Sequence, residues 1–532
     1  MKQFAIRIIV CFIFLFTCLA IGQTNKLTSQ YFALDDNEFI LNTNPGDLPK
    51  FVFNSAYLNN YSHVGAQTYL ELFYHNQNQD KSYRIDKGKK SSEYGITARW
   101  FTPVDSTSNF FSQVVVRKGV QQDIYGFTSR VSSIYGPYQM INLKQGDYKY
   151  QNYDLSARYS KRIKNFVLGT NLTYTGDYSF KQTDPRARNI SSWFSVELGS
   201  VYHLNKSFDF GLSTTYQLHR QTQELDVWKG NIKQQFFVLR GFGMIDHEHK
   251  DYVFSRKRIY TQDQFDVNLS SSLWKDRKFN IDLLLLAKSR NMKTEEQIPI
   301  NLHQLKTSII SLSTVLKYYI SSNWLSKINL FYQNKTLKGT ENRYSYTRVN
   351  QNYSGVYDYV KIGSLQAYSL KQNRLRIQTE ITYRSNNSGS YSFLLGYQNQ
   401  SLNEKYKASN FRSQLDKDTF SAEIKSDYKG NKNHLTWGVI YQLENTTKAL
   451  AQNDNRFSSL YNEIYYPVFL YDSLDKNMLA LFVDYNYRLK GNQQIGIKVQ
   501  VSKLWADSTK LKTMQVVDIN YLSAFTSLYY RF

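Results

Sequence analysis

The feature that most constrains this chain is an alternation of apolar and polar residues with a period of two, repeated in segment after segment. FDFGLSTTYQL places Phe208, Phe210, Leu212, Thr214, Tyr216 and Leu218 on one side and Asp209, Gly211, Ser213, Thr215 and Gln217 on the other. QFDVNLSSSLW sets Phe265, Val267, Leu269, Ser271 and Leu273 against Asp266, Asn268, Ser270 and Ser272. TFSAEIKSDY and MLALFVDYNY repeat the pattern over Phe420–Tyr428 and Leu479–Tyr487. A step of 180° per residue is a strand with one apolar face, and no helical period produces it. The segments are about ten residues long, enough for a steeply tilted strand to cross a bilayer. Many carry an aromatic ring at an end of the apolar face, where it would meet lipid headgroups.

Average hydropathy does not decide between this and a soluble fold. A mean hydropathy of -0.52 suits a soluble protein, but also a barrel in which only every second strand residue faces lipid. After the run Ile8–Ile21, nothing is apolar enough for a membrane-spanning helix. That first run has Lys2 and Arg7 before it and the small residues Ala20 and Gly22 at its end. This is the form of a secretory signal peptide, residues 1–22, cleaved after Gly22; an uncleaved anchor is the other reading. Cys11 and Cys18 are the only cysteines. Cleavage therefore leaves no thiol for disulfides, thiolate metal sites or cysteine nucleophiles.

The connections point the same way. Short turns at 161–165, 203–207, 275–278, 320–323, 429–433 and 490–493 alternate with long polar stretches near 176–191, 220–263, 291–305, 338–361, 399–417, 446–476 and 505–517. Short periplasmic turns alternating with longer external loops are the plan of outer-membrane barrels. Parity settles SLQAYSLKQNRLRIQTEITYRS: a hairpin at Lys371-Gln372-Asn373 would put every later loop on the wrong side. It reads as one long strand, with a turn near 385–390. Strands near 66–74, 93–101 and 110–118 bring the total to about 18, within a range of 16–18, and an even count leaves both termini in the periplasm. The expected fold is all-β, a single transmembrane antiparallel β-barrel over residues 61–532. Residues 23–60 precede it as a periplasmic or luminal segment.

The last residues, INYLSAFTSLYYRF, put Leu522, Ala524, Thr526, Leu528, Tyr530 and Phe532 on one face. In a barrel this strand closes against the first, because an open edge cannot face lipid. Leu528, Tyr530 and Phe532 resemble the C-terminal signature of bacterial outer-membrane barrels, which implies recognition by the barrel-assembly machinery.

Inward positions would include Asp209, His219, Asp266, Lys288, Glu380, Glu423, Lys425, Asp484 and Lys498. Both signs are mixed, as in a hydrated interior laced with ion pairs and selective for neither charge. Leu284, Leu286, Phe482 and Phe525 also face inward, so part of the lumen is either plugged or open to a greasy ligand. The chain carries 66 Lys and Arg against 43 Asp and Glu, and only Lys2 and Arg7 leave with the leader. In a membrane setting that excess points to anionic lipids rather than nucleic acid, at up to about 1 kcal/mol per basic residue near the surface. The lysine-rich short turns would meet phospholipid headgroups. KSYRIDKGKK at 81–90 and SRKRIY at 255–260 offer contacts for lipopolysaccharide phosphates or an acidic partner, unless they are simply solvated.

KQTDPRARNI at 181–190 gathers Asp184, Pro185, Arg186, Arg188 and Asn189 in one external loop. Pro185 would stiffen a turn that Asp184 caps or pairs; the alternative is contact with a ligand or partner. RGFGMIDHEHKDY at 240–252 brings His247, Glu248 and His249 beside Asp246 and Asp251. On an extended chain the two histidines face one side, but no third ligand is defined and no metal site is assigned. The eight His are scattered, and no Ser-His or Asp-His set is fixed by spacing. Neither an enzyme nor a cofactor is expected.

The NNYSHVGAQTYLEL opening, the TDPRARN loop and the SLYYRF end resemble an uncharacterised outer-membrane β-barrel family of Bacteroidota, whose members often sit beside TonB-dependent transporters. A usual form of the loop motif has a second proline where Ala187 stands here. The forty or so residues before the barrel are too few for the plug domain of such a transporter. Two roles remain. One is a channel passing a solute or small ligand without direct energy coupling. The other is a structural or accessory barrel docked to a TonB-dependent transporter, a lipoprotein or another surface component.

Overall fold

The computed structural model describes residues 50–532 apart from 64, 80–84, 131, 185, 227–236, 246–256, 276–277, 297–299, 349–356, 386–388, 408–409, 453–459, 492 and 507–518. In chain order the strands are β1 Gln67–Gln79, β2 Lys90–Pro103, β3 Ser108–Ile124, β4 Met140–Ile141, β5 Gly146–Ile163, β6 Phe166–Lys181, β7 Arg186–His203, β8 Asp209–Asp226, β9 Phe237–Val238 and β10 Lys257–Leu273. They continue as β11 Phe279–Glu296, β12 Asn301–Tyr319, β13 Trp324–Arg348, β14 Tyr357–Arg384, β15 Gly389–Tyr406, β16 Phe411–Lys429, β17 Asn433–Gln452, β18 Lys476–Arg488, β19 Gln494–Ala506 and β20 Ile519–Arg531. All but β4 and β9 form one 18-stranded sheet.

The sheet is an antiparallel meander closed on itself. β20 pairs with both β19 and β1, in register from Tyr69↔Arg531 to Gln79↔Tyr521. Phe532 donates its N–H to Thr68 O at 3.0 Å and accepts from Thr68 N–H at 2.7 Å. The last residue thus finishes the seam, and no barrel edge is left unpaired. Among the described residues no helix is long and apolar enough to cross a membrane.

The pleat sorts the side chains as the alternation requires. Phe210, Leu212, Tyr216, Phe265, Leu269, Phe420, Ile424, Leu479, Leu481, Leu522 and Leu528 all lie exposed on the outer face. Their alternates Asp209, Gln217, Asp266, Asn268 and Glu423 are buried inside. Exposed outward rings form two girdles: Tyr74, Tyr94, Tyr153, Tyr174 and Tyr216 toward the long loops, and Trp100, Phe166, Trp324, Tyr428 and Phe532 toward the short turns. An apolar band between aromatic girdles is the exterior of a transmembrane barrel.

The long connections are shorter than the sequence implies, because polar segments continue as strand. The stretch 176–191 is almost wholly β6 and β7, and 338–361 is largely β13 and β14. Above the membrane both faces of a strand meet water, so alternation fades while backbone pairing goes on. β14 is a single strand of 28 residues, without a turn at Lys371–Asn373. At about 3.3 Å per residue it is some 90 Å long, far more than a crossing needs. β1, β18 and β19 have only 13 residues each. The outer wall is therefore tall at β13–β14 and low near the seam.

Candidate functional site

The candidate site is the lumen, together with the segments of the chain that enter it. At the end of the short turns, helix α1 (Lys50–Phe53) and a 3-10 turn (Ser55–Tyr61) lie against the inner wall. Gly169 on β6 is paired with Gly199 on β7. A Cβ at Gly169 would stand 2.2 Å from Ala56 N, and one at Gly199 2.2 Å from Asn54 Oδ1. Glycine is what lets this segment approach so closely. Polar side chains of the wall then hold it. Glu197 accepts from Ser55, and Tyr57 donates its hydroxyl to Asp209 Oδ1 at 3.2 Å. Ser213 Oγ and Asn268 Nδ2 donate to Phe53 O at 2.6 and 3.2 Å. Tyr57 and Leu58 pack on Phe101, Phe111, Val167 and Val201. Residues 23–49 lie outside the described residues.

At the opposite end three connections fold inward and form a cap. β4 and β9, from different loops, pair through Met140↔Val238 and Ile141↔Phe237. Their side chains share a buried cluster with Ile124, Ala187, Leu225, Leu460 and Ile464. A π-helical turn (Tyr461–Tyr465) leads into helix α2 (Tyr466–Asp472) and reaches across the mouth. Ile464 meets Gly126 on one side, and Tyr465 donates to Glu404 Oε2 of β15 at 2.8 Å on the other. Phe242 occupies the left-handed region at φ 59°. Its ring is wedged between Phe411 and Tyr465, with centroids 5.6 and 4.8 Å away. Burial pushes the Tyr461 phenol up to about 12, which keeps it neutral in this aromatic cluster.

The cap is anchored by residues of the 181–190 motif. Asn189 Nδ2 donates to Thr128 O at 2.9 Å, and its Oδ1 accepts Gln221 Nε2 at 3.0 Å. Gln223 Nε2 also donates to Thr128 O, at 2.8 Å. Lys181 and Ala187 of the same stretch are also buried under the cap, Lys181 donating to Asn142 Oδ1 at 3.1 Å, whereas three charged residues are not. Arg188 is exposed and pairs with Glu224 of β8; Arg186 Nε lies 3.2 Å from Asp184 Oδ1; Pro185 lies outside the described residues. The structure thus brings Asn189 into the cap and leaves Asp184, Arg186 and Arg188 on the rim. Gln221, Gln223 and Phe242 complete the anchor, and sequence reasoning had no signal for them because their partners are long-range.

Beside and between these inserted segments the inner face of β13–β20 is filled only in part, with residues such as Lys327, Glu423 and Ala480 buried. Gln333, Lys335, Gln400, Phe482 and Gln500 alternate inward yet remain half-buried, so a chamber lies against that wall. Ion pairs lace it, Lys327–Glu380 at 2.9 Å and Lys417–Glu444 at 2.8 Å, and continue on the adjoining strands β10–β12 as Lys288–Asp266 at 3.2 Å and Lys317–Asp282 at 3.4 Å. Buried histidines serve the packing. His219 stacks on Trp193 with centroids 4.2 Å apart, and His303 on Tyr138 at 4.3 Å. Among the described residues no three His, Cys, Asp or Glu are grouped to hold a metal ion. His247, Glu248 and His249 lie outside the described residues.

A family of unknown function (DUF6850) matches residues 55–529, and the chain belongs to that family. No curated protein matches it. Solved structures similar in shape include the ferric preacinetobactin receptor BauA from Acinetobacter baumannii, with 8% identity, a TM-score of 0.39, and coverage of 88% of this chain and 80% of that one. The ferric-catecholate import receptor Fiu from E. coli K12 has 8% identity, a TM-score of 0.37 and coverage of 86% and 81%. The TodX monoaromatic hydrocarbon channel, as its deltaS2 mutant, has 9% identity, a TM-score of 0.33 and coverage of 90% and 92%.

Proposed function

We propose that this chain is a gated, non-energised channel of the outer membrane of a Gram-negative bacterium. Its N-terminal leader is removed on secretion, and both mature termini lie in the periplasm. A small polar solute crosses by way of the luminal chamber when the cap swings aside. The observation that carries this reading is the chamber: an inward wall of half-buried amides and charges, left partly unfilled although the chain inserts segments at both ends. A barrel that served only as a wall would gain stability by filling that space.

Planar-bilayer conductance tests it. The wild type should be silent or flicker rarely, and Asn189→Ala with Gln221→Ala should raise open probability by loosening the cap. No conductance from either would favour the second reading, an accessory barrel docked to a TonB-dependent transporter or lipoprotein. The bonding of inserted segments at both ends of the lumen is the observation that favours that reading.

Lipids are the proposed surroundings. On the outer face above the upper girdle, Lys293, Lys306, Lys338, Lys371, Lys405 and Arg412 are all exposed on successive strands β11–β16. Lys306 faces Lys338 directly, and Lys405 faces Arg412. Like charges opposed on neighbouring strands repel, unless anions lie between them. This band is where the phosphates of lipopolysaccharide would stand. Leu528, Tyr530 and Phe532 line the lipid face at the seam, where the barrel-assembly machinery would engage them.

A further inference from the structure

We infer that the chamber wall holds a binding site for an oxyanion-bearing solute, centred on Arg290 of β11 and Lys335 of β13. The inference names the class of cargo for the gated channel proposed above and rests on that reading. Arg290 pairs with Thr307 of β12, and Lys335 with Ile309 two residues along the same strand. The two cations therefore stand a short diagonal apart on the inner face. Lys335 pairs with Gln372 of β14, and the adjacent inward pair is Gln333 with Arg374. The charges that bear on Lys335 are those of Arg290 and Arg374, both cations. Arg374 is oriented by Gln400, whose Oε1 accepts its Nη2 at 3.2 Å.

At the centre of this cluster no acid pairs with Arg290 or Lys335. Among the described residues neither Arg290 nor Lys335 makes an ion pair or a hydrogen bond, and Arg290 Nε is enclosed without a partner. The carboxylate that bears on Arg290 is Asp266. Its Oδ2 is held by Lys288 at 3.2 Å and by Gln264 Nε2 at 2.9 Å, and neither of its oxygens forms an ion pair with Arg290. Other inward cations nearby are matched, as Lys327 is by Glu380 and Lys417 by Glu444. Grouping partly buried cations with no carboxylate paired to them is unfavourable, and an anion that enters relieves it. The arginine fork suits phosphate, sulfate or carboxylate, and the flanking glutamine amides suit hydroxyls on the same solute.

The test is thermal unfolding of the full chain in uncharged detergent, followed by loss of the fast-migrating folded band on unboiled gels. Inorganic pyrophosphate is the probe, against potassium chloride at equal ionic strength. A ligand that binds only the folded barrel raises its midpoint. Pyrophosphate should raise the wild-type midpoint by several degrees more than chloride does. Lys335→Gln should halve that shift or more, and Arg290→Gln with Lys335→Gln should abolish it while melting no lower than wild type. Lys498→Gln, a cation paired on the far wall, should keep the full shift. Equal shifts from both salts, or a pyrophosphate shift surviving in the double variant, would overturn the site. A barrel that binds pyrophosphate yet never conducts would overturn only the channel.

Discussion

The Glu197 carboxylate, on the inner face of β7, accepts both the backbone N–H and the hydroxyl of Ser55, at 2.9 and 3.2 Å. One side chain of the wall thereby fixes the start of the 3-10 turn that stands in the lumen. Glu197→Ala leaves the buried Ser55 N–H unpaired, a cost of about 1–3 kcal/mol. Amide exchange at residues 55–58 should accelerate accordingly, while the β-ladder stays protected. Gly169→Val should do more, since its side chain would occupy the space of Ala56 N. Unchanged exchange in both variants would mean that the segment is held by something other than these contacts.

Phe242 sits at a φ that a bulky residue rarely adopts, at a cost of about 1–2 kcal/mol, offset by a ring that is 3% exposed. Phe242→Ala removes the wedge between Phe411 and Tyr465 and should weaken the cap by about 3–5 kcal/mol. Limited proteolysis should then cut the 460–474 segment in folded barrels that resist cleavage as wild type. Equal resistance would show that the cap does not depend on this ring.

The outer face can be tested against the inner. Leu481 is outward and 50% exposed, whereas Gln500 on the next strand alternates inward. Leu481→Arg should destabilise the barrel in lipid vesicles by about 2–4 kcal/mol near the bilayer midplane. Gln500→Arg should cost far less in the same urea titration. Similar costs at the two positions would contradict the assignment of faces.

The basic band above the upper girdle makes a lipid prediction. Lys306→Glu with Lys338→Glu reverses two facing charges and should lower the lipopolysaccharide that co-purifies in mild detergent, with the difference shrinking at high salt. Co-purification that ignores both charge and salt would leave the band without an anionic partner.

Much of the wall was legible before the structure. Wherever one face met lipid, as at Phe208–Leu218 or Leu479–Tyr487, period-two patterning marked strand, phase and inner residues together. Parity of the connections resolved β14, whose Lys371–Asn373 stretch has local turn chemistry but pairs as strand. Legibility failed where both faces meet water, and hence at the upper ends of β6, β7, β13 and β14, within 176–191 and 338–361, which were read as loops. The lumen was harder still. Arg290, Lys335 and Arg374 lie 45 and 39 residues apart in sequence, so a list of inward charges looked mixed where register makes one patch cationic. Asn189 stood out by its motif, but its partner Gln221 is supplied by the neighbouring strand and carried no local mark.

The proposed gate is a chamber closed by the chain's own segments, and substituted-cysteine labelling measures that closure directly. Cys11 and Cys18 are the only cysteines and fall within the proposed leader; with that leader removed, a single Gln500→Cys is the lone thiol. A membrane-impermeant maleimide applied to whole cells should label it slowly in otherwise wild-type protein, and at least tenfold faster once Asn189→Ala and Gln221→Ala loosen the cap. Rapid labelling with the cap residues intact would show an open lumen and contradict the gate.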